Sequence, residues 1–213
     1  MKPPAAQSLD RATERGRVIL RSFWTPEEIE PLRFGLAGER FAQYRPLIPG
    51  KESLVRAAAE EETNVTLAVD REGTIVGAGI LEHPGKETRW RRIGERALME
   101  VAVMEVARPW RDEKLSKPLL RLLVDHPSRE KRILFMVGYS WTWDLDGKGL
   151  TAMAYREMLI RLFSEQSFGT FQTNEPNVML RPENLFMARI GGSVPPALVK
   201  RFKRVRFGLD PDL

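Results

Sequence analysis

The chain has 213 residues, 34 lysines and arginines against 29 aspartates and glutamates, a net charge of +5, and no cysteine. That length can bury a full core without staples, so one domain is the first expectation. The lack of cysteine excludes disulfide scaffolds, zinc–thiolate sites and thiol catalysis, and an apolar fraction of 42% with five tryptophans argues against disorder.

In chain order, residues 1–16 are polar and Pro/Ala-rich and are expected to fray. Their start has no apolar run of the signal-peptide kind. Arg17 to Phe23 reads as a short strand. Thr25-Pro26-Glu27-Glu28 is a helix start, with Thr as N-cap and Pro at the first helical position, and that helix is expected to run to Phe34. Residues 36–50 read as loop and Lys51 to Glu62 as helix. Asn64 to Asp70 and Thr74 to Glu82 form a hairpin about Arg71-Glu72-Gly73, with glycine where a positive φ is needed.

His83 to Gly94 reads as loop and Leu98 to Val106 as a long strand. The apolar stretch Ala97 to Ala107 is broken by Glu100 and Glu105 and falls short of the roughly 20 residues of a membrane helix. The expectation is a soluble, cytoplasmic protein. Lys114 to Asp125 is an amphipathic helix, and Pro118 fits it only if the helix begins near Ser116. Lys131 to Tyr139 reads as a buried strand, Leu150 to Glu165 as a second amphipathic helix, and Phe168 to Thr173 as a strand. Pro182-Glu183-Asn184 is read as opening a helix that ends at Gly191-Gly192. Pro195 to Lys203 is a last helix and Val205 to Leu209 a last strand. The fold class is therefore α/β, a mixed sheet with helices on both faces.

The positive charge is local. No acidic residue occurs between Asn184 and Leu209, and Lys200, Arg201, Lys203, Arg204 and Arg206 alone equal the net +5. Such a patch suits an anionic ligand or an acidic partner surface, although a solvated Arg-rich face is the simpler reading. No recognition-helix or aromatic-and-basic pattern accompanies it, so a nucleic-acid-associated role ranks third. The two histidines, His83 and His126, lie in His-Pro loops without metal-ligand spacing. No metal site is expected, and a Ser-His-Asp hydrolase ranks low.

One unit is shaped for an anion: a strand, a turn and a helix start over Val103-Met104-Glu105-Val106-Ala107-Arg108-Pro109-Trp110-Arg111-Asp112-Glu113-Lys114-Leu115-Ser116-Lys117. Unpaired N–H groups and the helix dipole meet there. The unit resembles the acyl-CoA loop of the GNAT superfamily of N-acetyltransferases, in which Arg or Gln, two residues, Gly or Ala, one residue, and Gly or Ala follow the fourth strand. Arg111 takes the first position, and Lys114 and Ser116 replace the two small residues. Tyr139-Ser140-Trp141-Thr142-Trp143-Asp144-Leu145, Glu175-Pro176, Pro182-x-Asn184-x-x-Met187-Ala188-Arg189-Ile190-Gly191 and Phe202-x-x-Val205-Arg206-Phe207 resemble the acetoin utilization protein AcuA family.

The resemblance runs from Arg17 to Phe207. It implies a single GNAT-like domain over 17–213 behind a flexible 1–16, with a mixed, mostly antiparallel central sheet. It also implies acetyl-CoA as cosubstrate and a protein substrate, the lysine of an acetyl-CoA synthetase, which acetylation inactivates. On this reading the thioester would sit where the long strand and Lys131 to Tyr139 splay apart. Val106 and Ala107 would meet pantetheine, and Arg111, Asp112, Glu113, Lys114, Leu115, Ser116 and Lys117 would hold the pyrophosphate. Glu105 would be the base, with Glu100 its rival on the opposite strand face, and Tyr155 the acid. Trp141 and Trp143, placed on one strand face, would wall an acceptor cleft with Asp144, Asn184 and Gly191. A binding module that has lost transfer is the alternative, since both small loop positions are substituted.

Overall fold

A computed structural model describes residues 5–36, 47–147 and 149–212, so most of the expected loop over 36–50 lies outside the described residues. The chain forms two compact units, Met1–Glu82 with Ala102–His126, and His83–Val101 with Pro127–Leu213.

The first unit contains β1 (Ser8–Thr13), β2 (Gly16–Arg21), α1 (Pro26–Ile29), β3 (Arg33–Phe34), α2 (Lys51–Ala59), β4 (Asn64–Asp70), β5 (Thr74–Glu82), the C-terminal part of β6 (Leu98–Val106) and α3 (Ser116–Val124). β1–β2, β2–β4 and β4–β5 pair antiparallel, β3 pairs parallel to β5, and β6 follows β5 in the strand order. Period-two alternation divides the core. Val65, Leu67 and Val69 of β4 face Ile29 and Leu54. Ala68 between them belongs with Val18, Leu20, Leu115 and Leu119. Helices thus cover both faces of this sheet, as expected.

Three expectations change here. Residues 8–13 do not fray: every one has a partner on β2, from Ser8↔Arg21 to Thr13↔Gly16. The Thr25 helix ends at Ile29 because Arg33–Phe34 turns into a strand beside Thr74–Ile75. α2 stops at Ala59. By contrast β4, β5 and β6 have the bounds read from the sequence, and α3 begins at Ser116, which places Pro118 in the first turn, where a missing N–H costs no helix bond.

The second unit contains the N-terminal part of β6, β7 (Ile133–Gly138), α4 (Ala152–Ser164), β8 (Gly169–Thr170), α5 (Pro176–Met179), β9 (Leu185–Ile190) and α6 (Pro196–Val205). β6 runs parallel to β7 over Leu98↔Ile133, Met99↔Leu134 and Glu100↔Phe135, whereas β7–β9 and β8–β9 are antiparallel. Trp90, Phe135, Phe186 and Phe202 form its aromatic core.

Residues 182–192 are not a helix. Leu185–Ile190 is β9, in register with all of β7 from Gly138↔Leu185 to Ile133↔Ile190. The expected strand at Phe168–Thr173 shortens to Gly169–Thr170. The expected last strand does not form: α6 runs through Val205, since Phe202 and Val205, three apart, are both fully buried in the aromatic core, and 206–208 are a turn.

Candidate functional site

The anion-shaped unit lies within the first unit. β6 ends in Glu105 and Val106 and Ala107 follows it; all three are buried, with Glu105 8% exposed. Ala107 N–H donates to the Val76 carbonyl at 2.9 Å and so continues the bonding to β5 one residue past the strand. A 3-10 turn follows over Arg108–Glu113. It is closed by Trp110 N–H on the Ala107 carbonyl (2.8 Å) and by Arg111 Nε on the Val106 carbonyl (3.0 Å).

Lys114 then takes φ 56° and ψ 34°, the left-handed region, and Leu115 returns to φ −76°, ψ −24°. A right-handed turn, a left-handed residue and a right-handed residue in succession aim consecutive N–H groups into one concavity. α3 starts immediately after, and no side chain caps its N-terminus. Pro118 withholds one N–H from that set.

The helix is pinned at both ends. Leu115 and Leu119 are fully buried beside Val106. The side chain of Asn64, itself fully buried, donates to the Leu122 and Leu123 carbonyls at 3.1 and 2.8 Å. Gly79 lets the helix lie close to β5, since a Cβ there would come within 2.7 Å of Leu123 Cδ2. Neither Asn64 nor Gly79 stood out in the sequence, because their importance is a contact across more than forty residues of chain.

The other predicted site residues lie in the second unit. β7 ends at Gly138, and Ser140–Thr142 is a 3-10 turn, so Trp141 and Trp143 do not share a strand face. Trp141 is 47% exposed, stacked on Tyr139 at 4.7 Å with Arg181 5.6 Å above its ring. Trp143 is buried and stacks on Tyr155 at 5.1 Å, with planes 16° apart. The turn breaks the alternation because Asn184 accepts the Ser140 N–H that a continuing strand would use.

Tyr155 sits in the first turn of α4, which Thr151 caps through the Ala154 N–H at 3.2 Å. Asp144 is buried and accepts the Gly147 N–H at 3.1 Å. Burial raises the Tyr139 hydroxyl above its ordinary value, and the nearby charges of Glu175 and Glu100 add to this against Arg89. Glu100 is therefore within electrostatic reach of Tyr139. A cavity of about 480 Å³ opens beside Asn184, Asn174, Arg156 and Phe207.

Gly191 is not a helix cap. Its N–H donates to the Arg132 carbonyl at 3.1 Å, and a Cβ on it would overlap the carbonyl oxygens of Arg129 and Glu130. The basic C-terminal cluster is partly consumed inside the chain. Arg201 pairs with Asp212 at 2.6 Å, Arg204 donates to the Asp210 carbonyl at 2.5 Å, and Arg206 lies over Phe171, Phe202 and Phe207.

His83 and His126 each bond a backbone carbonyl, of Leu98 and Glu62. Among the described residues no cluster of acidic and histidine side chains could hold a metal ion, and no helix is long and apolar enough to cross a membrane.

No family model matches the chain. It is 30% identical over 195 residues to the acetoin utilization protein AcuA of Bacillus licheniformis, an alignment covering 92% of this chain and 91% of that one. Against AcuA of Bacillus subtilis strain 168 it is 29% identical with the same coverage. The crystal structure of the acetoin utilization protein from Exiguobacterium sibiricum superposes with a TM-score of 0.83 at 27% identity, covering 96% of both chains.

Proposed function

The chain belongs to the acetoin utilization protein AcuA family, and on that premise we propose that it is an acetyl-CoA-dependent lysine N-acetyltransferase of the GNAT type, acting on an acetyl-CoA synthetase. The observation that carries the reading is the backbone of Lys114. A lysine stands where the acyl-CoA loop has Gly or Ala, and it takes a left-handed conformation that makes a concavity of N–H groups. The pyrophosphate would rest on the N–H groups that follow Lys114, at the positive end of α3, with Arg111 and Lys114 supplying charge.

The chemistry follows from a substrate lysine whose pKa is about 10.4 and which must lose a proton before it attacks. Glu105 takes that proton, directly or through water. The amine nitrogen bonds to the thioester carbonyl carbon, and backbone N–H groups stabilise the tetrahedral oxyanion. The C–S bond then breaks, the Tyr155 hydroxyl protonates the departing thiolate, and the extra proton on the new amide nitrogen passes through water to restore the tyrosine. Trp141, exposed and backed by Tyr139, offers the acceptor protein an aromatic contact. Asn184 holds that turn through the Ser140 N–H, Asp144 accepts the Gly147 N–H, Trp143 stacks on Tyr155, and Gly191 secures the far end of β9 against Arg132.

A second reading keeps binding and drops transfer. It is favoured by Pro118, which removes an N–H at the helix start, and by the bulk of Lys114 and Ser116. Incubation of the protein with labelled acetyl-CoA and purified acetyl-CoA synthetase separates the two. Label on the synthetase lysine supports transfer. Saturable acetyl-CoA binding without label supports the binding module. Absence of binding removes both.

A further inference from the structure

The β1–β2 hairpin is bonded to the candidate loop at Glu113. β1 and β2 are joined by Glu14 and Arg15 between the paired Thr13 and Gly16. Thr13 Oγ1 donates to the Gly16 carbonyl at 2.7 Å and accepts the Arg15 N–H at 3.2 Å, and Gly16 takes φ 126°. The turn is therefore fixed by its own bonds.

Its remaining donors point elsewhere. Glu14 N–H donates to Glu113 Oε2 at 2.9 Å, and Arg15 Nε stands 3.9 Å from Glu113 Oε1. The Glu113 side chain is 11% exposed and that of Arg15 54%, so the backbone bond is the shielded one of the two.

Glu113 ends the 3-10 turn and directly precedes Lys114. A residue with a β-carbon keeps a left-handed backbone only where its surroundings impose it. On one side of Lys114 the restraint is Leu115, fully buried against Val106 and Leu119. On the other it is Glu113, fastened to the hairpin.

We infer that Glu113 is a positioning residue for the acyl donor: by gripping the β1–β2 turn it holds Lys114 and Leu115 in the shape that receives the pyrophosphate. The inference rests on the donor role proposed for this loop. It gives residues 8–16 a part in binding and accounts for an acidic residue inside an anion-binding loop. The carboxylate is occupied by an N–H and a guanidinium and does not oppose the phosphates.

The test is isothermal titration of acetyl-CoA and of acetylpantetheine, which lacks the pyrophosphate, into wild type, Glu113→Ala, Glu113→Gln and a control, Glu72→Ala, which breaks the exposed Arg33–Glu72 pair. Glu113→Ala is expected to weaken acetyl-CoA about tenfold and Glu113→Gln, which keeps an acceptor for Glu14 N–H, about threefold. Acetylpantetheine affinity stays level throughout, and the control matches wild type.

Hydrogen exchange in Glu113→Ala should accelerate over residues 110–116 alone. Unchanged acetyl-CoA affinity in Glu113→Ala overturns the inference, and so does an equal loss for acetylpantetheine, which would mark general loosening. If Glu113→Ala fails to fold, Glu113→Gln decides in the same way. A wild type that binds no acetyl-CoA overturns the donor reading itself, and the inference with it.

Discussion

Asn184 Oδ1 accepts the Ser140 N–H at 2.7 Å while its Nδ2 donates to the Asn177 carbonyl at 2.7 Å, so one buried amide ties the start of β9, the turn after β7 and the first half of α5. Asn184→Ala leaves two backbone groups unmet and is expected to cost about 1–3 kcal/mol. For a chain of this size that lowers Tm by roughly 2–4 °C per kcal/mol. Calorimetry checks the stability, and the emission of Trp141, on the turn that Asn184 holds, reports the local change. A Tm equal to wild type would show that water replaces the amide.

Gly191 gives a sharper contrast with its neighbour. A methyl group there has to displace the Arg129 and Glu130 backbone, whereas at Gly192 it meets only Glu130 Oε2 at 3.5 Å. Gly191→Ala is expected to destabilise by about 3 kcal/mol and Gly192→Ala hardly at all. Urea denaturation of the pair measures both. Equal midpoints would remove the close-packing account of Gly191.

Glu105→Gln is expected to lower the rate of acetyl transfer by about 10² to 10⁴-fold while leaving folding and acetyl-CoA affinity near wild type. The same change at Glu100, whose charge acts on Tyr139, should cost much less. Steady-state transfer assays with saturating acetyl-CoA distinguish the two, and full turnover in Glu105→Gln would exclude it as the base.

Glu130 sets a pH dependence. The Gly192 N–H, and then Arg189, hold its carboxyl below the ordinary value of 4.5. A depressed folded-state value means the stabilisation is complete above 4.5 and is lost as pH falls through the lower folded value. Acid unfolding of wild type and Glu130→Gln should therefore converge as pH drops below 4.5, with wild type the more stable above it. Parallel curves across that window would show that Glu130 contributes no linkage.

Much of the fold was legible locally. The hairpin of β4 and β5 announces itself by β-branched runs about Gly73, whose φ is 75°. β6 and α3 follow from alternation and from helical spacing. Leu185–Ile190 misled because local signals agreed on a helix: a Pro and an Asn ahead, two glycines behind, and Ile190 its only β-branched residue. Pairing with β7 along its full length outweighed that preference. Trp141 and Trp143 misled for a related reason, because Asn184, more than forty residues away, ends the strand before them.

The sequence by itself determined the chemical inventory. With no cysteine and only two histidines, both in His-Pro loops, it leaves carboxylates, hydroxyls and amides as the main reactive parts. It also determined that the net +5 is gathered near the C-terminus. Only the tertiary structure decided what those parts do. It spent much of the cluster on Asp212, Asp210 and aromatic rings. It gave Lys114 a glycine's backbone and bound Glu113 to a hairpin about a hundred residues earlier. The reason is physical: composition and periodicity report on neighbours along the chain, whereas a charge's partner and a strained φ are set by residues that meet only on folding.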